Sequence, residues 1–567
     1  MPCSSRGFGL VDVIVGIALL LVLFLALFGV LRASLMLSAL AKAKASAVEL
    51  AGSQMEYLRG LSYDSLGTVG GIPNGAVPQT AATTIDGVEY AVRTLILYVD
   101  DPADGEGAQD SNGITTDYKL GKVAVSYTMN GIDKSMELIS NFTPPSIESS
   151  TGGGTLSIHI VDAANENVGD ALVHIVNEEV SPSVDFTTFT DTSGFATIGG
   201  AATSSEYQLY VSRDGYSSAQ TYARTGENVN PSPGYLTVTK DQVTGATFFI
   251  DVLSTLAIAS FSPAVTVLFN DSFADSSGLA SQTDTQVAGG SLILAGEALY
   301  GTARSTLITP NYLSGWGILS ANIETPPGTS ALIRIADADG APLPDSALSG
   351  NSAGFSSFPV ALDGISAYGY PSLAISAELT SNSTTTSPSV LDWSVSHTDG
   401  PAPLPDMPFT LTGAKIIGTD GGDAPIYKTI VNGNTGANAV KTETLEWDLY
   451  SLSLGTLNLI ENCPAFPYSL APASAESASI MAGALTANTL PLIVENSAST
   501  TLASARVVLK KSGFSASLTT SACGLAFFNG LSAGNYNATV SKSGYATTTF
   551  TGINVSGHAA PTTLTLP

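Results

Sequence analysis

Basic and metal-binding side chains are scarce in this chain. Lys and Arg together number 21 against 48 Asp and Glu, a formal net charge of −27 over 567 residues. The sequence offers no basic patch to neutralise phosphates, so a nucleic-acid partner is not expected. The four histidines, His159, His174, His397 and His558, are scattered, and neither HExxH nor CxxC accompanies them. His159 and His174 sit within alternating runs, which favours structural or solvent-facing roles. Catalysis is therefore not expected. The one hydrolytic alternative is a pair of acids in the central region that converge only in the fold. Charged residues of either sign make up just 12% of the chain.

What the chain does have is a long apolar run near its start. From Val13 to Leu31 there are nineteen residues without a formal charge, enough to cross about 30 Å of hydrocarbon as a helix. Asp12 precedes them at the lipid boundary, where an unpaired carboxylate costs several kcal/mol. The run is too long for the core of a secretory signal peptide, and no small-residue cleavage site follows it. The helical pattern continues to about Arg59 with no proline and, after Gly29, a single glycine at Gly52. Some fifty residues of helix extend roughly 75 Å, more than a bilayer needs. The second half should serve something outside the membrane.

Met1 to Gly7, Phe8 and Asp12 resemble the leader and first helix of type IV prepilins and pseudopilins. The resemblance implies cleavage between Gly7 and Phe8 on the cytoplasmic side by a prepilin peptidase, followed by methylation of the new amine. Asp12 falls at the fifth mature position, where the family usually carries Glu, and Gly9 replaces a usual Thr. In an assembly the carboxylate would neutralise the Phe8 amine of a neighbouring subunit, making one ion pair of two groups that are costly in lipid. Other pilins and an inner-membrane assembly platform are the implied partners.

After a turn-rich connection at 60–75, alternating runs at 89–99 and 122–129 predict antiparallel strands, with the head ending near Phe142. The stretch from Glu56 through Tyr127 is similar to PilV-type minor pilins. Between the strands lie Asp100, Asp101, Asp104, Glu106, Asp110 and Asp117. So many carboxylates beside glycines suit Ca2+, although the spacing is not that of an EF-hand. A solvated acidic loop is the plain alternative.

Beyond a polar linker at 144–154 the chain turns modular. Strand patterns at 155–162, 169–176 and 207–216, with a turn at 191–196, return in the same order at 490–495, 503–510, 519–531 and 535–545. Repetition of strand order and turn chemistry is stronger evidence than any single strand. Both copies, 155–256 and 486–567, resemble carboxypeptidase-regulatory-like domains, seven-stranded sandwiches that are normally non-catalytic. Between them, 257–398 is similar to a laminin-G or discoidin-like jelly roll. Trp316 and Trp393 are expected as core anchors, with sugar stacking as the alternative. Residues 399–408 read as a stiff Pro-rich linker, and 409–485 as a further β-sandwich in which Trp447, alternating with Leu445 and Leu449, should face the core.

The fold class is thus multidomain and mainly β. A leader (1–7) precedes a pilin domain (8–143), a transmembrane and assembly helix on a small α+β head, and Ig-like sandwiches and a jelly-roll-like domain follow. Cys3 goes with the leader, leaving Cys463 and Cys523. In an exported protein they are expected to form a disulfide stapling the last two units, with two separate thiols as the alternative. The functional expectation is a minor or tip-located pilus subunit that binds a surface glycan or protein. A major subunit of a decorated filament and a scaffold without a receptor are the other readings.

Overall fold

The computed structural model describes residues 10–101, 103, 116–145 and 152–567. It divides into two compact units, one of 1–253 with 416–427, the other of 254–415 with 428–567.

In the first unit, α1 (Leu10–Arg59) is one uninterrupted helix. Ala43, Ala47, Ala51, Met55 and Leu58 form its buried stripe, at the spacing of one helix face. Three alanines let the helix axis approach the sheet closely. That sheet is an antiparallel meander of β1 (Thr80–Ile85), β2 (Val88–Val99), β3 (Tyr118–Met129) and β4 (Ile132–Phe142). Tyr90 on β2 donates its hydroxyl to Ala43 O at 3.1 Å, and Gln54 Nε2 donates to Thr94 Oγ1 at 3.1 Å.

A seven-stranded sandwich follows: β5 (Gly154–Val161), β6 (Leu172–Asn177), β7 (Val184–Phe189), β8 (Phe195–Ala201), β9 (Ser204–Ser212), β10 (Ala219–Gln220), and, after short strands β11 (Asn230–Pro231) and β12 (Leu236–Val238), β13 (Val243–Phe249). One sheet runs β13-β5-β8, with β5 and β13 parallel, and the other β10-β9-β6-β7. The sandwich is built onto the head. Ile72 lies in its buried core, with Leu95, Leu97 and Tyr98 of β2 packed against it. Asp185 N, at the edge of β7, donates to Gly70 O at 2.8 Å. A side chain at Gly70, where φ is +72°, would stand 2.8 Å from Asp185 O, so this close approach requires glycine. Residues 144–154 therefore connect two bodies with a shared apolar core.

In the second unit, β14 (Ser254–Ser262) is followed by a module of β15 (Val265–Asp271), β16 (Leu279–Thr283), β17 (Thr285–Ala288), β18 (Ser291–Leu294), β19 (Tyr300–Ser305), β20 (Leu313–Glu324), β21 (Thr329–Ala336), β22 (Val360–Ala361), β23 (Ala374–Ser381) and β24 (Ser389–Asp399). Its two sheets, β17-β18-β24-β20-β22 and β16-β19-β23-β21, enclose one core. Trp316 and Trp393 are fully buried in it.

The chain then makes β25 (Ala402–Pro403), β26 (Pro408–Gly413), β27 (Ile416–Thr419), β28 (Pro425–Tyr427), β29 (Ile430–Asn434), β30 (Val440–Leu445), β31 (Asp448–Ser453), β32 (Asn458–Cys463), β33 (Tyr468–Leu470) and β34 (Ala475–Gly483). Here β14 pairs with β34 in parallel and with β30 antiparallel, and the facing sheet runs β29-β26-β31-β33. Apart from β25 and β32, this is the topology of the first sandwich again, with its first strand separated from the rest by the whole inserted module. Three expectations change accordingly. The strand at 254–262 belongs to this sandwich and not to the 257–398 unit. The Pro-rich stretch 399–408 is no free linker, because Leu404 N donates to Ser260 O at 2.9 Å and Met407 is buried. The hairpin β27–β28 belongs with the first unit, where β27 pairs with β11.

The C-terminal sandwich comprises β35 (Thr489–Asn496), β36 (Arg506–Lys511), β37 (Phe514–Thr519), β38 (Leu525–Asn529), β39 (Gly534–Ser541), β40 (Thr548–Val555) and β41 (Thr562–Leu566). Its sheets, β38-β35-β41 and β37-β36-β39-β40, match the first sandwich strand for strand. The same side chains recur. Thr190 Oγ1 donates to Val168 O at 2.7 Å and accepts from Ala171 N at 2.9 Å; Thr520 Oγ1 does so with Leu502 O and Ala505 N at 2.6 and 2.8 Å. Tyr207, Tyr450 and Tyr536 each donate a hydroxyl to the carbonyl four or five residues back, Ala202, Glu446 and Ser532. Asp162, Asp191, Asn496 and Ser521 each close a turn by accepting two backbone N–H groups, two and four residues on.

The inserted module and the C-terminal sandwich meet where β37 crosses β20. Gly315 and Gly317 flank buried Trp316, and a Cβ on Gly317 would stand 2.7 Å from Ser515 O, while one on Gly315 would overlap Ser517 Oγ. The glycines leave room for the neighbouring strand while the tryptophan fills the core. Gly317→Ala should destabilise the second unit by about 1–3 kcal/mol, read as a lower denaturant midpoint with unchanged slope.

Candidate functional site

Every side chain of α1 from Val13 to Ala39 is exposed, although most are Leu, Ile, Val or Phe. In water such a surface is strongly unfavourable. The helix is long and apolar enough to cross a membrane, and its apolar half carries no contact with the head. Asp12 lies in the first turn of the helix, and Gly7 and Phe8 lie outside the described residues.

Of the acidic passage, Asp100, Asp101 and Asp117 are described, while Asp104, Glu106 and Asp110 lie outside the described residues. Asp117 is buried, and its Oδ2 accepts the Asp101 N–H. Asp101 Oδ1 accepts from Ala103 N at 3.0 Å. Asp101 and Asp117 thus spend a carboxylate oxygen each on backbone N–H groups at 101 and 103. Among the described residues no group of three or more His, Cys, Asp or Glu is placed to hold a metal.

Beside that loop, β3 carries a buried cation. Lys119 Nζ donates to Tyr63 O at 2.7 Å and Leu66 O at 2.9 Å, and lies 4.5 Å from the Tyr63 ring centre. The ammonium ties the turn after α1 to the sheet. Burial lowers its pKa to about 8, with Asp64 opposing the fall.

A second buried ionic group lies in the middle sandwich. Glu446 Oε2 accepts from Lys428 Nζ at 2.8 Å and Lys415 Nζ at 3.0 Å. These two lysines stand at the two roots of the β27–β28 hairpin. Burial alone would raise the Glu446 carboxyl, but hydrogen bonding and charge from the two lysines hold it below the usual range. Trp447 is half-buried with Lys415 Nζ 3.5 Å from its ring centre. It does not take the core position expected from its alternation with Leu445 and Leu449. β30 ends at Leu445 and the chain crosses between sheets at 446–447, so the alternation breaks there and Tyr450 fills the core instead.

Cys463 and Cys523 form a disulfide with Cα atoms 5.8 Å apart, joining β32 to the turn before β38. Ser521 donates to Glu461 beside it.

The histidines remain apart. His159 stacks on Phe195 with ring centres 4.1 Å apart, and His174 bonds Asp185 at 2.7 Å. His397 is buried against Trp316, and burial lowers its pKa against the opposing charge of Asp399. Two Gly-x-Ser-x-Gly pentapeptides occur, at 350–354 and 530–534, but neither stands on the strand-to-helix elbow a nucleophile needs. The Ser352 hydroxyl bonds Asp345 and that of Ser532 bonds Lys511, and neither meets an imidazole.

Residues 490–567 match the family described as carboxypeptidase regulatory-like domain. No curated protein matches the chain. Among solved structures it is similar to the TIE protein of Bacillus anthracis, at 11% identity over 87% of this chain and 74% of that one, with a TM-score of 0.16. It is also similar to BcpA, the major pilin subunit of Bacillus cereus, at 10% identity over 73% and 99%, TM-score 0.14. The Corynebacterium diphtheriae major pilin SpaA matches at 8% identity over 73% and 99%, TM-score 0.12. Likenesses at these scores carry no argument about this chain.

Two outcomes are expected. Because the pKa of folded Lys119 lies near 8 against 10.5 when free, the unfolded chain binds more protons between those values, and head stability rises with pH across that window. Lys119→Met should flatten this rise, seen in urea midpoints of the head measured by pulse proteolysis from pH 7.5 to 10. Cys523→Ser opens a loop of 60 residues and should cost the second unit about 4 kcal/mol on loop-closure grounds, measured by denaturant titration against the intact disulfide form.

Proposed function

We propose that this chain is a minor or tip-located subunit of a bacterial type IV pilus or related pseudopilus, inserted through α1 and presenting its β modules outside the cytoplasm for adhesion. The observation that carries the reading is the helix itself: one unbroken rod whose stretch from Val13 to Leu31 is charge-free and uncovered and whose later half is packed on the head. Prepilin peptidase would cut between Gly7 and Phe8. Asp12 would then receive the Phe8 amine of a neighbouring pilin as the assembly platform draws the subunit from the inner membrane.

More than 400 residues follow the head, and the first sandwich shares apolar core with it. A head of this bulk in every subunit would obstruct lateral packing, which favours low copy number. The β modules repeat one sandwich topology three times, and the role proposed for them is contact with a surface glycan or protein.

Co-expression with a prepilin peptidase tests the anchor. The intact mass should show loss of residues 1–7 and gain of one methyl group, with Asp12→Ala processed normally but depleted from sheared filaments. A mature protein that keeps residues 1–7, or Asp12→Ala present in filaments at wild-type copy number, would overturn the reading.

A further inference from the structure

Strand β2 serves two neighbours with its two faces. Thr94 and Ile96 turn toward α1, while Arg93, Leu95 and Leu97 turn the other way, onto the first sandwich between its edge strands β7 and β8. The sandwich covers only part of that face. Leu95, Leu97, Leu120 and Ala124 stay half-buried and floor a 610 Å3 cleft, whose opposite wall is the β7–β8 connection with the strand ends beside it, 188–197. Clefts of about 300–1,000 Å3 take small ligands.

Two aromatic rings line that wall, Phe189 at the end of β7 and Phe195 at the start of β8, 39% and 38% exposed. Each is held by a flat partner: the Arg93 guanidinium lies 4.4 Å from the Phe189 ring centre, and His159 stacks on Phe195. Carboxylates stand beside the second ring. Asp191 Oδ1 accepts the Phe195 N–H at 2.9 Å, and Asp170 N donates to Thr190 O at 3.1 Å, which brings Asp170 to the same turn. The Asp170 carboxylate and the Thr197 hydroxyl make no hydrogen bond among the described residues. Both cations of the cleft are engaged, Lys122 with Glu137 at 2.9 Å and Arg93 with Phe189 and Thr187 O. An anionic ligand would therefore meet carboxylates, and a wholly apolar one would bury them without partners. A neutral sugar meets both demands, with a C–H face for the ring and vicinal hydroxyls that donate to the carboxylates.

We propose that this cleft binds a neutral pyranose unit of a glycan, stacked on Phe195, with its hydroxyls donated to Asp170 and Asp191 and a further contact to Thr197. The inference rests on the adhesive part of the proposed function and names its ligand; it does not depend on the anchor. It also places the binding site in the head and the module built onto it, not in the distal sandwiches.

The test uses the full chain in a detergent without a sugar headgroup and, as probes, the methyl β-glycosides of glucose, galactose, mannose and N-acetylglucosamine, read by saturation-transfer NMR. At least one should show saturable transfer below about 50 mM. Phe195→Ala should weaken that binding at least about tenfold. Thr197→Val keeps the side-chain shape at an exposed strand position and removes the hydroxyl; it should weaken binding at least about threefold and serves if Phe195→Ala fails to fold. Tyr368→Ala removes a fully exposed ring elsewhere in the chain and should change nothing, which separates the cleft from stacking on any open aromatic. No saturable transfer from any of the four sugars, binding unchanged in Phe195→Ala and Thr197→Val, or loss in Tyr368→Ala overturns the proposal. So does transfer to an apolar tetrapeptide of alternating Ala and Val with none to the sugars, which would assign the cleft to a protein segment. Each of these failures leaves the anchor reading standing, since that is decided by peptidase processing and filament copy number.

Discussion

Each sandwich closes by pairing its first strand in parallel with its last, β5 with β13, β14 with β34 and β35 with β41. Parallel neighbours place the start of one strand and the end of the other at opposite poles. Chain therefore enters a sandwich at one end and leaves it at the other. The first strand is held along both edges by ladders and on one face by the core, so it is fixed wherever the rest of the sequence goes. That is why the middle sandwich tolerates an entire module between β14 and β26: the insertion leaves and returns beside β14, where β25 pairs with it.

This constraint also explains how much could be read from the sequence. The first and last sandwiches are continuous, so their alternating strands and turns recur in the same order. The middle copy carries the same parallel closure and the same tyrosine, Tyr450, but its repeat is interrupted twice, by 265–399 and by the 416–427 hairpin. A periodic signal broken at both places leaves only loose strands, and the first of them reads from sequence as part of the neighbouring module. Trp447 failed for a related reason, since alternation predicts a face only while a strand continues.

The helix was the most legible element, because a charge-free run of that length has few alternatives in water. Its contact with the head was less so. The buried stripe of Ala43, Ala47 and Ala51 is chemically plain, and small residues announce close approach only once the opposing sheet is known. Likewise nothing in the polar stretch at 144–154 signals that Ile72, in the connection after α1, and Leu95 of β2 complete the core of the next module. The carboxylates at 100–117 read as a cation loop; Asp101 and Asp117 bond backbone, a use of Asp that composition does not distinguish from metal binding.

The disulfide between Cys463 and Cys523 has a mechanical meaning that differs from its effect on folding. A tensile load passing along the second unit reaches Cys463, crosses the sulfur bridge and continues from Cys523, so the residues between them carry none of it. Roughly 200 Å of extended contour, at about 3.4 Å per residue, is withheld from any stretching of the chain. That hidden length contains β34, the partner of β14, and the strands β35 to β37. Force can loosen the ends of the unit without drawing out its middle.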